Sequence, residues 1–155
     1  MRLTGNTILI TGGSSGIGRG LAEALYRLDN QVIISGRRKG HLAATVDTNP
    51  GLYSVELDVT NPTNIAAVTT KLIAEFPKLS VLINNAGIMM PDNAAGAMDE
   101  ELLVSTVTTN LLGPIRMTSA VIEHFKKQPY AVVINGLRSR RRADRQQTCE
   151  RQPKD

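Results

Sequence analysis

This sequence predicts an α/β fold of the doubly wound kind, a parallel sheet with helices on both faces, and two patterns carry the prediction. Short apolar runs of strand length alternate with stretches whose apolar residues recur at helical spacing, the pattern of parallel strands joined by helical crossovers. Segments rich in Gly, Asn and Asp then follow the apolar runs, where the chain leaves each strand.

The elements follow in order. Residues 6–11 form the first strand, and Ile17, Leu21, Leu25 and Leu28 are spaced for one face of the helix after it, which Asn30 ends. Gln31 to Ser35 reads as strand two, and Arg38 to Val46 as a short helix. Asn49-Pro50-Gly51 is a turn, and Leu52 to Leu57 is strand three. Thr60-Asn61-Pro62 supplies a helix cap and a proline suited to the first turn, before a helix carrying Ile65, Val68, Leu72, Ile73 and Phe76. Val81-Leu82-Ile83 is wholly apolar, as a buried parallel strand should be. Two helices are expected from about Asp99 to Leu112 and from Pro114 to Lys127, and strand five runs from Ala131 to Asn135. About five strands result.

Composition narrows the class. The 155 residues, 41% hydrophobic and 21% charged, make one globular domain with no apolar run long enough for a bilayer. Residues 1–135 hold 11 basic and 11 acidic side chains, so the net charge of +4 lies wholly in residues 136–155, where seven basic groups meet three acidic ones. Cys149 is the lone cysteine, which excludes an internal disulfide and a cysteine-based metal site. His41 and His124 stand apart without partners at ligand spacing, so no metal is expected. With no secretory signal at the start, the expected location is the cytoplasm.

Thr11 to Gly18 reads TGGSSGIG, directly after the first strand. Gly12 and Gly13 permit a tight turn, Gly16 and Gly18 lack the Cβ atoms that would hold a ligand away, and Ser14 and Ser15 add hydroxyl donors. Backbone N–H groups and the positive end of a helix dipole then meet at one point, which suits a pyrophosphate. Leu57-Asp58-Val59 ends strand three, Asn84-Asn85-Ala86-Gly87 ends strand four, and Thr109-Asn110 lies in the helix beyond. These four elements lie in order at the C-terminal ends of strands, where open α/β sheets bind ligands. From Thr7 to Asn135 the chain closely resembles the short-chain dehydrogenase/reductase family.

The resemblance implies a Rossmann-like fold and a nicotinamide dinucleotide cofactor, with roles for particular residues. Gly12, Gly16 and Gly18 would approach the pyrophosphate and ribose, with Ile17 beside them, and Asp58 and Val59 would border the adenine. Asn85, Ala86 and Gly87 would line the cofactor floor, and Asn110 would match the asparagine that holds a water in the family's proton relay. Two of these have plainer alternatives: Asp58 as a capping acid, Asn110 as a mid-helix residue bonding backbone. Strand two ends in Ser35-Gly36-Arg37-Arg38-Lys39, with no carboxylate and with guanidinium groups shaped for phosphate, which favours NADP(H) over NAD(H). The alternative is a solvated basic turn.

After strand five the sequence departs from the family. The catalytic serine is expected there, then a helix bearing Tyr-x-x-x-Lys, but Gly136-Leu137-Arg138 follows Asn135 and Ser139 stands one place late. Asn30, Leu57 and Ile134 stand four residues after Tyr26, Tyr53 and Tyr130, so the chain holds no Tyr-x-x-x-Lys. Asn110 is the one tetrad residue present, and proton transfer to a nascent alkoxide lacks its catalyst. The fold is accordingly expected to be incomplete, with a dinucleotide-binding domain over residues 1–135 and a basic, disordered or out-of-frame tail over 136–155. Arg138 to Arg142 could instead meet nucleic acid or an acidic partner, but no aromatic side chains or known module accompany them. Met89-Met90-Pro91 is read either as a substrate mouth or as loop cover. A truncated sheet would expose an edge and apolar helix surface, from which oligomerisation or poor solubility is expected. The resemblance implies that the helices of residues 99–127 form much of a subunit interface, so a homo-oligomer through them is conceivable. Two functions remain open: an NADP(H)-dependent oxidoreductase of carbonyls or secondary alcohols, incomplete in this chain, and a non-catalytic dinucleotide-binding or interaction module.

Overall fold

The computed structural model describes residues 3–89 and 99–136. Met90, Pro91 and the tail from Leu137 onward, including Ser139, the arginine cluster and Cys149, lie outside the described residues. Eleven segments alternate along the chain: β1 (Thr7–Thr11), α1 (Gly16–Tyr26), β2 (Gln31–Gly36), α2 (Lys39–Asp47), β3 (Tyr53–Glu56), α3 (Pro62–Glu75), β4 (Leu79–Asn84), α4 (Glu100–Val107), a π-helical turn (Thr108–Leu112), α5 (Gly113–Phe125) and β5 (Val132–Asn135).

The five strands form one parallel sheet in the order β3-β2-β1-β4-β5. The chain moves outward from β1 through β2 to β3, then returns to place β4 on the other side of β1. That reversal leaves a crevice at the C-terminal ends of β1 and β4, the usual ligand position in such sheets.

Both sheet faces are covered, which is why the central strands are apolar at consecutive positions. Leu9, Ile33 and Leu82 pack against Ile65 and Leu72 of α3 and Met117, Val121 and Phe125 of α5. Their neighbours Ile8, Ile10, Val32, Ile34, Val81 and Ile83 pack on the opposite face against Ala22 and Leu25 of α1 and Leu42 of α2.

The structure alters some sequence expectations. The buried face of α1 is Gly18, Ala22 and Leu25, whereas Ile17, Leu21 and Leu28 are exposed. Small residues let the helix settle closely on the sheet, and the larger side chains flank that contact. The helix also stops at Tyr26, short of Asn30, whose buried side chain accepts from the Asn6 backbone N–H and donates to the carbonyls of Leu3 and Leu25. Strand three is shorter than expected. The two helices expected after residue 98 are one continuous helical run, because the wide turn at Thr108–Leu112 carries the chain past Pro114. Proline offers no N–H to the carbonyl of Asn110 four residues earlier, and a π turn relieves the crowding at that place. The cap at Asn61 forms as expected: its side chain accepts from Asn64 N–H at 3.0 Å, with Pro62 following.

Candidate functional site: a crevice at the C-terminal edge of the sheet

The glycine loop after β1 builds the centre of the site. Gly12 has φ +67, and a Cβ there would stand 2.9 Å from the Cα of Ala86. Gly16 has φ +54 with nothing within 4 Å of where its Cβ would be, so its outer side is open. A Cβ on Gly18 would overlap the Gly12 carbonyl oxygen and the Asn85 side chain, so only glycine lets α1 start this close to β1.

Helix caps separate this site from the rest of the molecule. The first turns of α3 and α4 are capped by Asn61 and Asp99, and α4 adds Glu100 and Glu101. At the crevice, Ser15 makes no side-chain cap bond to α1, Arg38 makes none to α2, and neither first turn holds an acid. The amides of two helix starts are therefore left for another acceptor.

The exit of β4 braces the loop. Thr11 Oγ1 accepts from the N–H groups of both Asn85 and Ala86, each at 3.0 Å. Asn85 returns the tie, its Nδ2 donating to the carbonyls of Thr11 (3.0 Å) and Gly12 (3.2 Å). Asn110, in the π turn, accepts from Ile88 N–H at 2.9 Å and donates to Ile88 C=O at 2.8 Å, so it clamps the backbone beyond Gly87. This is a bond to backbone, but to that of another segment and not of its own helix. Pro114, four residues on, has no N–H to offer the Asn110 carbonyl.

On the other side, Arg37 and Arg38 follow β2 and are exposed. Arg38 reaches Ser15 Oγ at 3.4 Å, while Arg37 makes no ion pair among the described residues. Lys39, the third cation of the run, is engaged by Glu56 at 3.0 Å. Glu56 ends β3 in register with Gly36, so a carboxylate stands beside the end of β2 after all, supplied by the neighbouring strand. Asp58 Oδ1 accepts from Thr60 N–H (2.9 Å) and Thr60 Oγ1 (2.7 Å), shaping the loop after β3.

These segments line one cleft of about 220 Å³. It gathers Gly12, Ser14 to Gly18, Arg37, Arg38, Asp58, Val59 and Asn85 to Gly87 from the sequence-predicted set, but not Asn110 itself. Ser35, Thr60, Ile88 and Thr109 line it too and were not read from the sequence. Ser35 Oγ is buried there without a hydrogen-bond partner among the described residues. Open glycine backbone, uncapped helix starts and unpaired cations suit an elongated phosphate ester, so the residues present fit a dinucleotide. Among the described residues, no group of three or more His, Cys, Asp or Glu is arranged to hold a metal ion.

A glycine-lined crevice at the switch point of a parallel sheet defines a nucleotide-binding α/β protein. The chain belongs to the short-chain dehydrogenase family, whose model matches residues 6–137. It is 38% identical over 137 residues to the oxidoreductase DltE of Bacillus subtilis, covering 86% of this chain and 54% of that protein. It is 34% identical over 140 residues to the NADP-dependent 3-hydroxy acid dehydrogenase of Schizosaccharomyces pombe, with the same 86% and 54% coverage. Among solved structures, a short-chain dehydrogenase from Streptomyces avermitilis superposes with a TM-score of 0.76 at 30% identity, over 83% of this chain and 48% of that one. A 3-ketoacyl-(acyl-carrier-protein) reductase from Brucella melitensis, complexed with NADH, superposes with a TM-score of 0.74 at 30% identity, over 81% and 52%. The chain thus spans about half the length of these relatives.

Proposed function

We propose that this chain is the cofactor-binding part of an oxidoreductase that uses NADP(H) to interconvert a carbonyl and a secondary alcohol, and that residues 1–155 alone bind the cofactor without turning it over. When bound, the nicotinamide group supplies or accepts the hydride. Gly12, Gly16, Ile17, Gly18, Ser14 and Ser15 hold the pyrophosphate and its ribose; Asp58 and Val59 border the base; Asn85, Ala86 and Gly87 form the floor. Asn110 fixes the backbone at Ile88 and leaves its own carbonyl for a water. The domain comprises residues 1–135, and the basic segment 136–155 takes no part.

The single observation that carries the reading is the pairing of an uncapped, glycine-lined α1 start with Arg37 and Arg38 at the end of β2. Glu56, the nearby carboxylate, is already satisfied by Lys39, so it offers little opposition to a 2′-phosphate. The name of the Schizosaccharomyces pombe relative, an NADP-dependent enzyme, agrees with this choice. A reducing, cytoplasmic setting is in keeping with the single cysteine.

Fluorescence titration of the purified chain with NADPH and NADH tests the proposal. Arg37→Asp is expected to weaken NADPH binding at least about tenfold more than NADH binding, the loss of a charge-assisted phosphate contact. Equal losses would remove the case for NADP(H).

The second reading, a non-catalytic binding or interaction module, is favoured by the absence of any Tyr-x-x-x-Lys and by the exposed apolar side chains Val104, Leu111 and Ile115. Carbonyl reduction by this chain at a family-like rate would sink it. Reading the coding DNA past Asn135 separates the two more cheaply. A Ser followed by Tyr-x-x-x-Lys in another frame would identify a disrupted reductase; stops in every frame would support the module.

A further inference from the structure

The loop after β3 stands at the base end of the cleft, and its bonds run within itself and to the start of α3. Asp58 N–H donates to Asn64 Oδ1 at 2.8 Å, Asp58 Oδ1 holds Thr60, and Asn61 N–H donates to the Asp58 carbonyl at 3.2 Å. Below it, Leu57 N–H continues the ladder to the Gly36 carbonyl at 3.0 Å. These contacts fix the loop's shape and its root.

A further tie to the loop comes from α5. Arg116 Nη1 donates to the Thr60 carbonyl at 3.2 Å, a half-buried bond across 56 residues of sequence. One turn earlier, Gly113 is buried against Val59: a Cβ there would meet Val59 Cγ2 at 3.2 Å and its Cβ and carbonyl oxygen at 3.3 Å. Residues three apart share a helix face, so Gly113 and Arg116 approach the same loop, one by close contact and one by a bond. Among the described residues no other side chain from outside the loop and α3 bonds to residues 58–61.

We propose that Arg116, seated by the close approach of Gly113, is a positioning residue that sets the base-end wall of the nucleotide site and thereby its selectivity for the adenine ring. The proposal rests on the nucleotide-binding function given above. Arg116 acts through Thr60, whose N–H and hydroxyl are both bound to Asp58; Asp58 Oδ2 stays free to accept from an exocyclic amino group. When the Thr60 carbonyl is released, the turn loosens and the Asp58 carboxylate moves with it. The phosphate loop, braced separately by Thr11 and Asn85, is not disturbed.

The test uses the full chain and two dinucleotides that differ only at the base: NADPH, and its deamino analogue with hypoxanthine in place of adenine. Arg116→Met keeps the apolar stem and removes the donor, and Arg116→Lys restores a donor. Expected for Arg116→Met is a loss of at least about tenfold in NADPH affinity, the scale of one hydrogen bond to a charged group, with little change for the analogue. The Lys variant recovers most of that loss. Hydrogen–deuterium exchange at Thr60 and Asn61 is expected to quicken in the Met variant and not in the Lys variant, with exchange in the 12–18 loop unchanged. Equal losses for both dinucleotides, or no loss for either, would overturn the positioning role. If the unmodified chain binds neither dinucleotide, the functional reading falls and the selectivity claim with it. The exchange measurement then judges the brace alone, and unchanged rates at Thr60 and Asn61 would remove that as well.

Discussion

Thr11 shows how much of the site rests on one hydroxyl. It accepts two backbone N–H groups from the exit of β4, and Asn85 answers with two donations to the exit of β1. Thr11→Val keeps the shape and leaves both amides without an acceptor, so urea denaturation should show a loss of about 2–4 kcal/mol; a loss below about 0.5 would mean that water replaces the bond freely. The glycines before and after the serines mark a tight strand-to-helix turn from sequence alone, because Gly12 and Gly18 stand where a Cβ would clash. Thr11 does not announce itself. Its partners lie 74 and 75 residues away, and only the adjacency of β1 and β4 brings them together. Asp29 tells the reverse story. With φ +55 it occupies the left-handed region without a glycine's freedom, and Asp29→Gly is expected to raise the melting temperature by a few degrees, a gain of up to about 1 kcal/mol set against glycine's greater unfolded-state entropy.

At the scale of elements, α1 and α2 are held together at their far ends by Glu23, away from the crevice. Glu23 Oε1 accepts from Arg19 Nε at 2.7 Å and from Asn49 Nδ2 at 3.3 Å. The Arg19 hydrogen bond, aided by Asn49 and by the charges of Arg19 and Arg27, holds its pKa below the ordinary carboxylate value despite partial burial. A carboxyl with a lowered folded pKa contributes stability that is present above its unfolded pKa and fades as pH falls through the folded one. The melting-temperature gap between the unmodified chain and Glu23→Gln should therefore be open at pH 7 and close as the solution is taken below pH 4; a constant gap would exclude the linkage. Most elements were legible because their apolar period was unambiguous, as in α3 with Ile65, Leu72 and Phe76 buried. The reading of α1 failed where size mattered more than period, since the sheet required Gly18 and Ala22 against it. The unbroken run through Pro114 was hidden because a π turn leaves no mark on hydrophobic spacing. Lys39 and Glu56, adjacent only across β2 and β3, were equally invisible.

Among the described residues, several large apolar side chains stand uncovered. Val104, Val107, Leu111, Ile115 and Ile122 are exposed along the α4–α5 run, Ile17 and Leu21 on α1, Leu28 just after it, and Ile134 on the outer strand β5. The relatives carry about as much chain again, and surface of this kind in water favours association. Sedimentation velocity is expected to show concentration-dependent self-association that Leu111→Glu with Ile115→Glu reduces; a monomer at all concentrations would contradict it. The sheet order has one more consequence, which concerns time. The innermost strand is made first, yet one of its two neighbours, β4, begins only at Leu79, after three crossovers have been synthesised. Until that strand arrives, β1 has one side bare and Thr11 has nothing to hold, so the phosphate loop cannot acquire its shape early. Closing a sheet over so long a separation is slow, so the loop after β1 waits for β4 however early its own residues are made.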